Sequence, residues 1–164
     1  MNERLDRLIE ALRAELQHYG ELLALFEKQQ EHLMNRESEQ VLDSAGHIQS
    51  QAVMAQQARD QRVQSQQELA DALSVPPDGR FSTLLPALPL SRQGQIQALV
   101  DENNRLLRRI QQRAKQNHLL LSHSLEAMGK VIHTLMGTPQ GSLYDVAGGA
   151  SAAAPLRPLY EAVG

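Results

Sequence analysis

The sequence has no cysteine and no tryptophan, and only three tyrosines and two phenylalanines among its 164 residues. Without cysteine there are no disulfides and no thiolate metal site, a pattern suited to a reducing compartment. Scarce aromatics deprive a core of this size of the side chains that bury the most apolar area. No apolar run is long enough to span a bilayer, and residues 1–15 lack the unbroken apolar stretch of a signal peptide. A cytoplasmic protein with no direct membrane insertion is therefore expected. The net charge of −3 is too small to steer the chain toward a polyelectrolyte. A glycine-rich phosphate loop, a GxSxG elbow and a cysteine nucleophile are all missing, so neither an enzyme nor a cofactor is expected. Acidic pairs such as Glu37/Glu39 and Asp101/Glu102 read as solvated helix surface.

Abundant Leu, Ala, Gln and Glu point instead to helices packed along narrow seams. Leu5, Ile9, Leu12, Leu16, Tyr19, Leu23 and Phe26 alternate spacings of four and three, and Leu33 resumes the stripe. Leu8, Leu22 and Leu25 widen it to the face of a bundle helix, which predicts one amphipathic helix over about 3–35. Residues 35–38 then offer a C-cap and a fresh N-cap. A second helix over about 38–74 has a poorer seam of Val41, Ala45, Ile48, Ala52, Ala55, Leu69 and Leu73, with Arg59, Arg62 and Gln66 in its middle. Either its alanines admit a close neighbour, or the polar middle lies beyond that neighbour's end.

The prolines at 76, 77, 86 and 89 break the pattern and predict a loop over 75–91. Phe81, Leu84, Leu85 and Leu88 should dock this loop on the helices, with a short helical turn near 82–85. A third helix, over about 92–136, carries Ile96, Val100, Leu107, Ile110, Leu121, Leu125, Met128, Ile132 and Leu135, and Gly137 suits its termination. The expected fold is all-α: an elongated, coiled-coil-like antiparallel three-helix bundle over 1–137 and a flexible tail over 138–164. The tail is rich in Gly, Ala and Pro, and without a period it cannot offset its own ordering entropy. Leu143, Tyr144, Leu156, Leu159 and Tyr160 stand in it as apolar anchors.

Three polar features on the third helix need weighing. His118, His123 and His133 are spaced by five and ten, so no two share the three- or four-residue spacing of a helical metal pair, and they read as solvent-facing. Arg105, Arg108, Arg109, Arg113 and Lys115 form a basic stretch, but overall acidity and missing aromatics argue against nucleic acid. Asn103 and Asn117 lie on the leucine seam two heptads apart. Two readings stand for them. They fix register between helices, or they line an exposed groove with Leu107, Ile110, Leu121, Leu125, Met128 and Ile132 and meet an incoming helix.

The third helix, with residues 115–125 reading KQNHLLLSHSL, is followed by GSLYDVAG at 141–148. This arrangement resembles the FlgN flagellar export chaperones, in which an Asn- and Leu-bearing helix precedes a tail motif of the form Leu-Tyr-x-x-x-Gly. A Leu-rich first helix, a polar turn and a Gln-rich second helix extend the resemblance over most of the chain. The resemblance implies a cytoplasmic chaperone that holds the C-terminal amphipathic helical region of hook-associated proteins, prevents their premature assembly, and delivers them to a membrane export-gate component. It matches Leu143, Tyr144 and Gly148 to the gate-contacting tail motif; alternatively Tyr144 plugs a gap in the bundle. A structural coiled-coil protein that self-associates through its seam, for instance as a homodimer, is the competing reading.

Overall fold

The computed structural model describes residues 1–76, 78 and 80–136. The chain is all-helical over them: α1 (Asn2–Asn35), α2 (Ser38–Ala72), a single turn α3 (Phe81–Leu84) continued by a 3-10 turn (Leu85–Ala87), and α4 (Leu90–Met136). The predicted second helix stops two residues early, at Ala72, and the third begins two residues early, directly after Pro89. Proline lacks an N–H that the first helical turn leaves unbonded in any case. Its carbonyl accepts from the N–H groups of Arg92 and Gln93. The predicted tail lies outside the described residues.

Both ends of the α1–α2 hairpin are closed the same way. Arg36 adopts φ 59°, the Glu37 N–H reaches back to the His32 carbonyl at 3.0 Å, and the Arg36 N–H reaches that of Leu33. After α2, Ser74 takes φ 54°, with Val75 N–H on Ala70 and Ser74 N–H on Asp71. Each is a Schellman closure, built here without glycine. The N-cap of α2 is Glu37 rather than Ser38, and its carboxylate contacts the His32 imidazole across the turn.

Contacts between helices fix their directions. Arg7 meets Glu68, Glu15 meets Arg62 and His18 meets Gln51, so α2 runs antiparallel to α1. Asp6 meets Arg92, Leu12 meets Asn103 and Phe26 meets Asn117, so α4 runs parallel to α1. α1 thus packs along both of the other long helices. One apolar cluster joins Leu5, Leu8 and Leu12 to Leu69, Ile96 and Val100, and is plugged by Phe81, Leu84 and Leu88 from the Pro-rich loop. A second joins Tyr19, Leu22 and Leu23 to Ala55, Leu107 and Ile110. Alanine at 55 and 58 on the α2 seam admits the close neighbour that the sequence allowed.

Candidate functional site

Between the two apolar clusters lies a buried polar centre. Glu15 takes a position on the inward face of α1, and its carboxylate accepts from Arg62 Nε at 3.1 Å and Nη2 at 3.4 Å. Arg62 Nη1 also donates to Gln66 Oε1 at 3.0 Å, and the Tyr19 hydroxyl donates to Glu15 Oε1 at 3.0 Å. Both charged side chains are at least 97% buried. The Phe81 ring lies over the guanidinium, 5.9 Å from centroid to Cζ. Burial, reinforced by the Glu15 carboxylate, pushes the Tyr19 phenol well above its ordinary range. The α2 residues Arg59, Arg62 and Gln66 therefore do not lie beyond the neighbour's end; all three are buried, and the last two belong to this network. Sequence reasoning missed Glu15 because the four-three count ran through Leu16, which is only half-buried. The network is a fully paired structural element with no open cavity beside it; the space between these side chains is about 10 Å³.

The eight residues of the predicted groove separate into two sets. Asn103, Leu107, Ile110 and Asn117 are buried against α1. Asn103 Nδ2 donates to the Leu12 carbonyl at 3.0 Å, and Asn117 Nδ2 to the Phe26 carbonyl at 2.8 Å and to Gln29 Oε1 at 3.1 Å. Both carbonyl pairings span 91 residues, so the two amides repeat one register between α1 and α4. In this structure both amides meet the α1 backbone and neither lines open surface.

Leu121, Leu125, Met128 and Ile132 are exposed, at 41%, 61%, 60% and 45%. Length accounts for the distal part: in the register of the asparagines, Asn35 at the end of α1 stands level with Glu126, so Met128 and Ile132 lie beyond α1, whereas Leu121 and Leu125 stand level with its last residues, Gln30 and Met34, and are exposed there already. Val131 and Met136 widen the exposed face, and Met34 and Leu42 are exposed at the adjacent hairpin turn.

Two of the five residues in the basic stretch of α4 pair it with α1. Arg109 and Arg113 approach Glu27 of α1 at 3.3 and 3.6 Å, Arg113 also contacts Gln30, and Arg105 pairs with Glu102 in its own helix. Among the described residues no group of three His, Asp or Glu side chains is arranged to hold a metal, and no helix is long and apolar enough to cross a membrane. Leu143, Tyr144 and Gly148 lie outside the described residues.

Among the described residues, the chain is a helical hairpin with a longer partner helix whose distal face is apolar and exposed. The family model of FlgN proteins matches residues 1–152, and the chain belongs to that family of flagellar export chaperones. Comparison with curated proteins gave no match, and neither did comparison with solved structures.

Proposed function

We propose that this protein is a cytoplasmic export chaperone for hook-associated proteins, and that the distal face of α4 receives the C-terminal amphipathic helix of its client. The working form is an elongated up-down-up bundle of the three long helices. One observation carries the reading: the seam that α1 covers as far as Asn117 continues bare through Leu121, Leu125, Met128 and Ile132. An amphipathic helix laid there takes up the path that α1 leaves, by helix-in-groove addition. Covering the client's assembly helix in this way holds it from premature polymerisation. Asn103, Leu107, Ile110 and Asn117 then hold α4 in place, and Leu143, Tyr144 and Gly148 contact the export gate during delivery.

Calorimetric titration of the chain with a peptide of the client's C-terminal region tests this. Leu125→Asp/Met128→Asp should change stability by no more than about 0.5 kcal/mol per site, as exposed substitutions do, while weakening the peptide at least tenfold. Unchanged affinity in a folded variant would exclude the α4 face as the site. A wild-type chain that ignores every hook-associated peptide and sediments as a dimer through this face would favour the self-associating reading.

A further inference from the structure

The apolar row of α4 beyond Asn117 has a border without charge. Leu121, Leu125, Met128, Ile132 and Leu135 alternate spacings of four and three, and all are exposed. Positions flanking such a row are where paired helices carry the charges that choose a partner. Here they are Ser122, Ser124, Gly129, Val131 and Met136. From 119 to 136 the only carboxylate and the only ammonium are Glu126 and Lys130, and the helical period places both on the side away from the row. The covered part of the same helix differs: Arg92 pairs with Asp6 across its border, and Arg109 and Arg113 with Glu27.

A broad apolar face with an uncharged border is complementary to itself. Two copies meet across it with no like charges opposed and no ion stranded, whereas a helix with charged flanks finds no counterpart here.

We infer that this face pairs with the same face of a second copy, the two α4 helices running antiparallel about a twofold axis near Met128.

Direction follows from the bundle. Running the same way, two copies would bring both α1–α2 turns to one level, and each bundle would crowd the near half of the other's stripe. Running oppositely, the bundles stand at the two ends of the pair and the whole stripe is shared. Leu121 then comes level with Leu135 of the second copy, and Leu125 with its Ile132. There is room for it, because α1 leaves Leu121 and Leu125 41% and 61% exposed although it stands beside them. Met34, 71% exposed, follows Glu27 and Gln30 by seven and four positions on the side of α1 that reaches α4, and borders the arriving helix end.

Size sets the strength. Two stripes about 21 Å long on a rise of 1.5 Å per residue bury on the order of 1,200 Å², the boundary between transient and standard interfaces. Such a pair forms and parts at roughly micromolar concentrations. Exposed apolar patches invite nonspecific association, and a twofold pair closes this one in a finite object. A client helix on the same stripe and a second copy exclude each other; that consequence rests on the proposed client site, while the pairing itself does not.

Sedimentation velocity of the full chain across the micromolar range tests it. The wild type should pass from monomer to dimer and stop there, and Leu125→Asp/Met128→Asp should stay monomeric with unchanged circular dichroism. A wild type that remains monomeric throughout, grows without limit, or dimerises equally well with both aspartates overturns the inference. Because the sequence has no cysteine, direction is read by mixing Leu121→Cys chains with Leu135→Cys chains under mild oxidation. Disulfides between the two variants should dominate, and disulfides mainly between copies of the same variant overturn the antiparallel pair. Peptide titration keeps the two readings apart. A monomeric chain that binds client peptide sinks only the pairing, and a dimer that ignores every such peptide sinks only the client site.

Discussion

The Asn117 side chain donates through Nδ2 to the Phe26 backbone carbonyl at 2.8 Å, and Asn103 repeats the contact two heptads earlier at Leu12. Two amides in one apolar seam set the axial position of α4 against α1, and through it the length of α4 left uncovered. A seam asparagine sacrifices stability for register. Asn103→Leu/Asn117→Leu should therefore melt at or above the wild-type temperature, yet give mixed species in sedimentation velocity. A single clean species with a lower melting temperature would show that the amides act as ordinary packing.

Glu15 and Arg62 make the opposite kind of prediction. Removing one member of a buried pair strands the other charge, at a cost of roughly 3–5 kcal/mol. Arg62→Met alone and Glu15→Leu alone should each destabilise strongly in chemical denaturation, while Glu15→Leu/Arg62→Met should recover most of the loss. Additive losses in the double variant would mean that the pair is not coupled.

Tyr19 links the same network to pH. Its phenol titrates higher in the folded chain than in the unfolded one, because burial and the Glu15 carboxylate both oppose the phenolate. A raised folded value stabilises the fold in full below the unfolded value, and that contribution is lost as pH climbs through and beyond it. Stability should fall above about pH 10 with a component near 1.4 kcal/mol per pH unit. Melting curves from pH 9 to 11.5 should show Tyr19→Phe losing this component while being less stable than wild type at neutral pH, where it lacks the hydrogen bond to Glu15.

Ser74 and Arg36 hold a left-handed conformation that costs a side-chain-bearing residue roughly 1–2 kcal/mol. Glycine relieves that cost and adds an unfolded-state entropy of roughly 0.5–1 kcal/mol. Ser74→Gly and Arg36→Gly should each stabilise by up to about 1 kcal/mol in urea titration. Loss of stability at Arg36 would instead implicate its side chain in the hairpin turn.

The long helices were legible because leucine spacing is set by the surface that each helix buries, and the turn at 35–38 by the local chemistry of helix ends. Phe81, Leu84 and Leu88 announced their docking as apolar residues in an otherwise punctuated loop. Harder to read were the polar residues inside. Glu15 and Arg62 lie 47 positions apart, and nothing local to either says that the other will neutralise it. Likewise the α4 stripe reads the same at Leu107 and at Leu125, because periodicity records a face and not what covers it. The change from buried to bare falls between Asn117 and Leu121, within the last turns of α1, and only the packed structure shows where.

An odd number of long helices gives the chain two unlike poles. At one, where Asp6 meets Arg92, the beginnings of α1 and α4 are sealed by the Pro-rich loop. The other is the C-terminal end of α4, about 70 Å away along its 47 residues. Any handle fixed at Met1, whether a surface tether, a fluorophore or a fusion partner, therefore stands a bundle's length from the bare stripe. The same handle placed after Met136 crowds it. Immobilisation at these two positions should thus yield different capture capacities from one and the same polypeptide.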